Sequence, residues 1–269
     1  MSTVTMVAID FAYHDLTQYA VERSLDAITP AEVLTISDRP LIAGARHVQH
    51  LPVSGMPEYA NLMLKGVAEH VTTSHALYVQ WDGIAYRPEL WTDDYLQYDY
   101  IGAPWPWGAD NRKVGNGGFS LRSKRLLDIC ASDPLISLTE QEPIAEDNII
   151  AVHNRAYLEE QYSIRFAPLA VAEQFSFELG HMRNSFGFHG LWNVIAQMTD
   201  ADVEYYLPRI NYKGWNVYKW NHVLNAASRR SMDVYTYLLD QLIVNSPDLL
   251  PLVSGHIERS SNDTQTQFL

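Results

Sequence analysis

Four short stretches carry residue types that could do chemistry together. In Gln80-Trp81-Asp82-Gly83, an acid closing an apolar run can ligate a hard divalent cation, which in turn holds a diphosphate. The same Asp-Gly pair can also serve only as a turn. Gly115-Asn116-Gly117-Gly118 lets a ligand approach the backbone closely, or forms a hairpin. No Gly-Lys-Ser/Thr follows it, and its spacing is not the dinucleotide fingerprint. Glu146-Asp147 offers a general base for a hydroxyl proton, or a pair of acids favoured by a helix start. His189, in Phe-Gly-Phe-His-Gly, could meet a metal or a phosphate, or be a hydrogen-bonded structural residue. There is no HExxH and no GxSxG, and Cys130 lies in an apolar helical pattern, so nucleophilic hydrolysis finds no support.

The elements that must hold these residues alternate strand and helix. Val4–Ile9, Glu32–Ile36 and His75–Gln80 are short β-rich runs of the kind that fill buried parallel strands. Between them lie a helix capped by Asp15 or Thr17 and closed at Pro30, and a second helix carrying Tyr59, Leu62, Met63, Gly66 and Val67. This β-α-β-α-β order implies a parallel, doubly wound α/β sheet. Ligands sit at the carboxyl ends of such strands, where Asp10, Asp38 and Asp82 fall. Val114–Ser123 reads as a Gly-rich turn entering a strand, Lys124–Cys130 as a short helix and Pro143–Val152 as a helix start. Residues 164–172 read as a late strand and Phe186–Gly190 as a turn. Beyond about residue 200 the pattern is helical, with Met232, Tyr235, Leu239, Leu242 and Ile243 on one face. The expected organisation is a catalytic α/β domain over 1–200 and a helical extension over 201–269, with a frayed tail from Glu258.

The chain has 269 residues, 47% hydrophobic, with a formal net charge of −13. That balance opposes phosphate-dominated nucleic-acid binding and attachment to anionic membranes; Arg122, Lys124 and Arg125 form the one tight basic cluster near the candidate site. A single cysteine excludes an internal disulfide and a Cys-based zinc site. The N-terminus has no basic n-region or long apolar stretch, and no window approaches the roughly 20 apolar residues of a spanning helix. The expected localisation is therefore cytoplasmic.

In order along the chain, the strand-end acid, glycine loop, acidic pair and late histidine resemble the layout of GT-A glycosyltransferases. The words QWDG, YDYIGAPW, VGNGGFSLRS, EDN and FGFHG resemble more closely a family of GT-A-like glycosyltransferases found in bacteria, viruses and some eukaryotes, over about residues 4–192. The resemblance implies a GT-A (Rossmann-like) fold and transfer of a sugar from a nucleoside-diphosphate donor, uridine-linked, to a carbohydrate or small hydroxyl acceptor. It implies Mn²⁺ or Mg²⁺ on Asp82 and His189, with Gln80 standing where many such enzymes carry another acid. It implies Gly117 and Gly118 beside the donor sugar, and Asp147 as the base of an inverting transfer with Glu146 orienting hydroxyls. Asp10 and Asp38 would contact the nucleoside. Trp105 and Trp107 could stack on a sugar ring or pack the core. The alternatives are a nucleotidyltransferase, disfavoured because residues 8–15 hold no Gly, Lys or Arg, and an inert glycan- or nucleotide-sugar-binding module, favoured by Gln80 and the aromatic richness.

Overall fold

A computed structural model describes residues 3–107, 114–138, 145–179 and 184–253. They form two compact units, one running to His189 and the other beginning at Gly190.

The first unit is a mixed α/β structure. In chain order it contains β1 (Val4–Asp10), α1 (His14–Ala27), β2 (Glu32–Ser37), β3 (Arg46–Gln49), α2 (Met56–Asn61), β4 (His75–Val79), β5 (Gly83–Ala85), β6 (Tyr100–Gly102), β7 (Phe119–Ser123), α3 (Lys124–Ser132), α4 (Glu146–Asn148), α5 (Arg155–Tyr162), α6 (Leu169–Phe175), β8 (Ser176–Phe177) and β9 (Gly187–His189). The central sheet has the order β3-β2-β1-β4-β7-β6. β3, β2, β1 and β4 run parallel, while β7 runs antiparallel to both its neighbours. Every residue of β1 and β4 is buried, as expected of strands covered on both faces. One face presents Val7, Ile9, Leu34, Ile36, Ala76 and Tyr78 to Leu62, Met63, Val67 and Leu127.

The antiparallel run of β7 positions the site. Its register pairs Val79 with Phe119, so the glycines before β7 lie at the carboxyl end of β4, and Gly118 O accepts from Gln80 N at 3.1 Å. A second, small sheet has the order β5-β9-β8. Gly83 faces His189 across β5 and β9, and Phe177 lies beside Phe188 across β8 and β9. The residues next in line, Asp82 and Glu178, therefore flank His189.

Several expectations are corrected. Residues 164–172 are not a strand: Phe166 makes a single bridge to Tyr100, and Pro168 starts α6, consistent with proline's tolerance at helix starts. Phe186–Gly190 is not only a turn, because Gly187–His189 forms β9. Neither Asp15 nor Thr17 caps α1; the Asp10 carboxylate accepts from Tyr13 N at 3.0 and 3.1 Å instead. The short edge strand β3 has no apolar run to announce it. Pro143 and the tail from Glu258 lie outside the described residues.

In the second unit, the described residues form α7 (Leu191–Gln197), α8 (Asp200–Tyr206), α9 (Val217–Arg230) and α10 (Met232–Asn245), with short 3₁₀ turns. Thr199 and Asp202 make a capping box at the start of α8, satisfying two otherwise unpaired helix-end donors. Tyr212, Trp215 and Trp220 cluster through ring contacts of 5.0–5.6 Å. The expected face of α10 is corrected: Leu238 and Leu242 are buried, whereas Met232 is 72% and Ile243 46% exposed. Among the described residues, no helix is long and apolar enough to cross a membrane.

Candidate active site

Gly117 and Gly118 bring the acidic pair and the histidine together. Gly117 donates its N–H to Asp147 Oδ2 at 2.9 Å. Its missing side chain is required: a Cβ there would lie 2.7 Å from Glu146 Oε1 and 3.0 Å from Asp147 Cβ. At Gly118, a Cβ would lie 2.1 Å from His189 Nε2. Two consecutive glycines thus meet the candidate base and the candidate metal ligand.

Asp147 is half-buried at the start of α4, where Asn148 N also donates to its Oδ1 at 2.7 Å. Burial, assisted by the neighbouring Glu146 charge, pushes its carboxyl up to about 7, while the Gly117 N–H and Arg122 pull the other way. A carboxyl titrating there is suited to general-base work near neutral pH. Glu146, expected to orient hydroxyls, is buried and paired with Arg122 at 2.7 Å.

His189 lies between two carboxylates, with Nε2 3.2 Å from Asp82 Oδ1 and Nδ1 3.2 Å from Glu178 Oε1. Burial disfavours the charged ring, but the Asp82 and Glu178 carboxylates outweigh it and hold the pKa well above the ordinary histidine value. The buried Asp82 Oδ1 has this ion pair with His189 and no other polar partner among the described residues. A buried carboxylate oxygen and an imidazole nitrogen facing each other, with the other ring nitrogen held by a carboxylate, would serve as two ligands of a divalent cation once the cation displaces the ring proton between them. The site is not a complete one, since no three His, Cys, Asp or Glu side chains among the described residues are placed to hold a metal ion together. Gln80 adds no carboxylate; its Nε2 donates to Tyr59 O–H at 3.3 Å.

Asp10 and Asp38 stand at the ends of β1 and β2, as expected, but are joined to His14. The His14 ring approaches Asp10 at 3.6 Å and Asp38 at 2.5 Å. Burial raises the Asp10 pKa, whereas the His14 hydrogen bond lowers that of Asp38. Nearby, the Tyr13 and Trp81 rings lie 4.7 Å apart.

One of the two tryptophans is buried and the other is not. Trp105 is buried against Gly115, where a Cβ would lie 2.3 Å from its ring. Trp107 stacks on Trp105 at 6.3 Å and remains 64% exposed.

The basic cluster is corrected. Arg122 has no exposure and faces Glu146, Lys124 pairs with Asp128, and Arg125 bonds the Tyr162 carbonyl. The three do not form a basic surface for a polyanion.

Sequence reasoning missed His14, Glu178 and the inward-facing Arg122. His14 carried no signal in the sequence, because Asp10 ends β1 and His14 begins α1, so helical i+4 spacing does not relate them. Glu178 follows β8, a strand of two residues that is too short to be read from its pattern.

The family model described as "Protein of unknown function (DUF5672)" matches residues 45–189, more than half of the chain. The chain belongs to the DUF5672 family. The matched span contains Asp82, Gly117, Gly118, Glu146, Asp147, Glu178 and His189, but not the Asp10–His14–Asp38 cluster. No curated protein matches the sequence. Among solved structures, the chain is similar to glucosyl-3-phosphoglycerate synthase from Mycobacterium tuberculosis in complex with Mn²⁺, uridine diphosphate and phosphoglyceric acid, at 10% identity over 62% of this chain and 67% of that one, with a TM-score of 0.38. It is also similar to a glycosyltransferase involved in glycosylation of the major capsid of PBCV-1, at 12% identity over 77% of this chain and 99% of that one, with a TM-score of 0.40. Likenesses this loose speak to neither activity nor site.

Proposed function

We propose that the α/β unit is a divalent-metal-dependent glycosyltransferase. It moves a sugar from a nucleoside-diphosphate sugar, uridine-linked, to a hydroxyl of a carbohydrate or other small acceptor, with inversion at the sugar carbon. The observation that carries this reading is the Gly117–Gly118 pair, which meets Asp147 on one residue and His189 on the next.

Asp147, supported by two backbone N–H groups, takes the acceptor proton as the hydroxyl attacks the sugar carbon. The bond to the leaving diphosphate loosens through an oxocarbenium-like state. A divalent cation held by Asp82 and His189 would supply Lewis-acid stabilisation of the charge growing on that leaving group. Glu178 fixes the His189 ring with Nε2 toward Asp82. Exposed Trp107, stacked on Trp105 near the glycine loop, offers an apolar face to an acceptor sugar.

Incubation with a panel of nucleotide sugars and Mn²⁺ tests the reading. Slow release of nucleoside diphosphate from one donor is the expected result. Binding of a donor without turnover would favour an inert binding module, a reading to which Gln80 in place of an acid lends support.

A further inference from the structure

A fully buried arginine must be compensated, since an unpaired charge in the interior is expensive. Arg122, on β7, is compensated on every side but one. Its Nη2 donates to Glu146 Oε1 at 2.7 Å, its Nε to Ser120 Oγ at 3.1 Å, and its guanidinium lies 4.3 Å from the Tyr78 ring and 5.4 Å from the Tyr100 ring. Its Nη1 is buried with no hydrogen-bond partner among the described residues. Apolar side chains would fill this volume at lower cost, so stability alone does not account for the arrangement.

The network converges on Gly117. Ser120 Oγ donates to the Gly117 carbonyl at 2.9 Å, and Arg122 Nη2 reaches it at 3.4 Å. The N–H of the same residue holds Asp147. Glycine is the residue most free to swing, so an anchored carbonyl matters here more than at any other residue type.

We propose that Arg122 is a positioning residue: with Glu146 it immobilises Gly117, and so fixes the Asp147 carboxylate that Gly117 holds. The catalytic meaning of this device rests on Asp147 being the base; the device itself does not.

Two variants test it, each with the melting temperature as a check on folding. The groups facing the Asp147 carboxyl are Glu146, Arg122, Tyr100 and the N–H groups of Gly117 and Asn148. Glu146→Gln keeps the shape but removes the like charge. Arg122 then loses the charged acceptor that holds it against the Gly117 carbonyl, so amide exchange at Gly117 should accelerate, and the Asp147 side-chain ¹³C resonance, identified by its absence in Asp147→Asn, should titrate below the wild type. Arg122→Lys keeps the charge but cannot fork to Glu146, Ser120 and Gly117 together. Amide exchange at Gly117 should then accelerate at least about tenfold while the rest of the sheet stays protected. Unchanged Gly117 exchange in folded Glu146→Gln protein overturns the proposal, and this variant decides alone if Arg122→Lys does not fold. Unchanged Gly117 exchange in folded Arg122→Lys, or protection lost across the whole sheet, overturns it as well. If the expected shifts occur but no donor is ever turned over, the positioning network stands and the glycosyltransferase reading fails.

Discussion

Two histidines in this molecule each lie between two carboxylates at the carboxyl edge of a strand, yet the two clusters differ. His189 is gripped by register: β5, β9 and β8 place Asp82, His189 and Glu178 in line, and the ring packs on Gly118. His14 is gripped by a helix start and a loop. Asp10 lies four residues before it, and the Asp38 side chain is one-third exposed. The first cluster adjoins a carboxyl poised near neutral pH; the second adjoins the paired rings of Tyr13 and Trp81. A carboxylate–histidine–carboxylate set is therefore not in itself a catalytic signal. What separates the two is the neighbour each is fixed against.

The largest expected contrast is in turnover. Asp147→Asn, beside the first cluster, should lower transfer by roughly 10²–10⁴-fold while nucleotide binding persists. Asp38→Asn, in the second, should leave the chemical step nearly intact and act on nucleotide affinity. Equal losses of turnover in the two variants, measured at saturating donor, would erase the distinction.

Packing gives the next contrast. Gly118→Ala drives a methyl group into a ring backed by two carboxylates, an overpacking that should destabilise by about 1–3 kcal/mol. The reference is Gly44, where a Cβ meets nothing within 4 Å and only the positive φ of 80° opposes alanine. Denaturant unfolding should show Gly118→Ala losing more stability than Gly44→Ala; a larger loss in Gly44→Ala would count against the tight contact at His189.

A further contrast concerns pH. Asp147 binds its proton more tightly folded, with a value near 7, than unfolded. Its contribution to stability is therefore full at acid pH and is lost as pH rises from about 4 through 7. His189, also raised, adds loss in the same direction above neutrality. Asp38, lowered by His14, works oppositely and loses its contribution only in acid. Melting temperature should thus decline from mildly acid to alkaline pH, less steeply in Asp147→Asn. Transfer should rise with pH through about 7 as the base loses its proton. A pH–rate profile already flat from pH 5 upward would contradict the Asp147 assignment.

Much of this fold is legible in the chain because buried parallel strands are continuous apolar runs. VTMVAI, EVLTI and HALYVQ announce themselves, and each delivers an acid to the same edge. The site residues are legible as types in order, but not as partners. Whether His189 meets Asp82 depends on a three-residue strand whose glycines read as a turn, and on a register set by β5. Arg122 beside Lys124 and Arg125 reads as a basic surface; only the two-residue period of β7 turns it inward to Glu146. Glu178 is hidden for the same reason as β9, since strands of two or three residues carry too little pattern to stand out.

In the proposed reading, Asp82 and His189 bind the donor through a divalent cation. Calorimetric titration of uridine diphosphate into wild-type and Asp82→Ala protein, in Mn²⁺ and in EDTA, tests it most directly. Strong binding is expected only for the wild type in Mn²⁺, equivalent to about 2.7 kcal/mol of added stability at a concentration of 100 times Kd. Binding of equal strength in EDTA, or unchanged in folded Asp82→Ala protein, would contradict it.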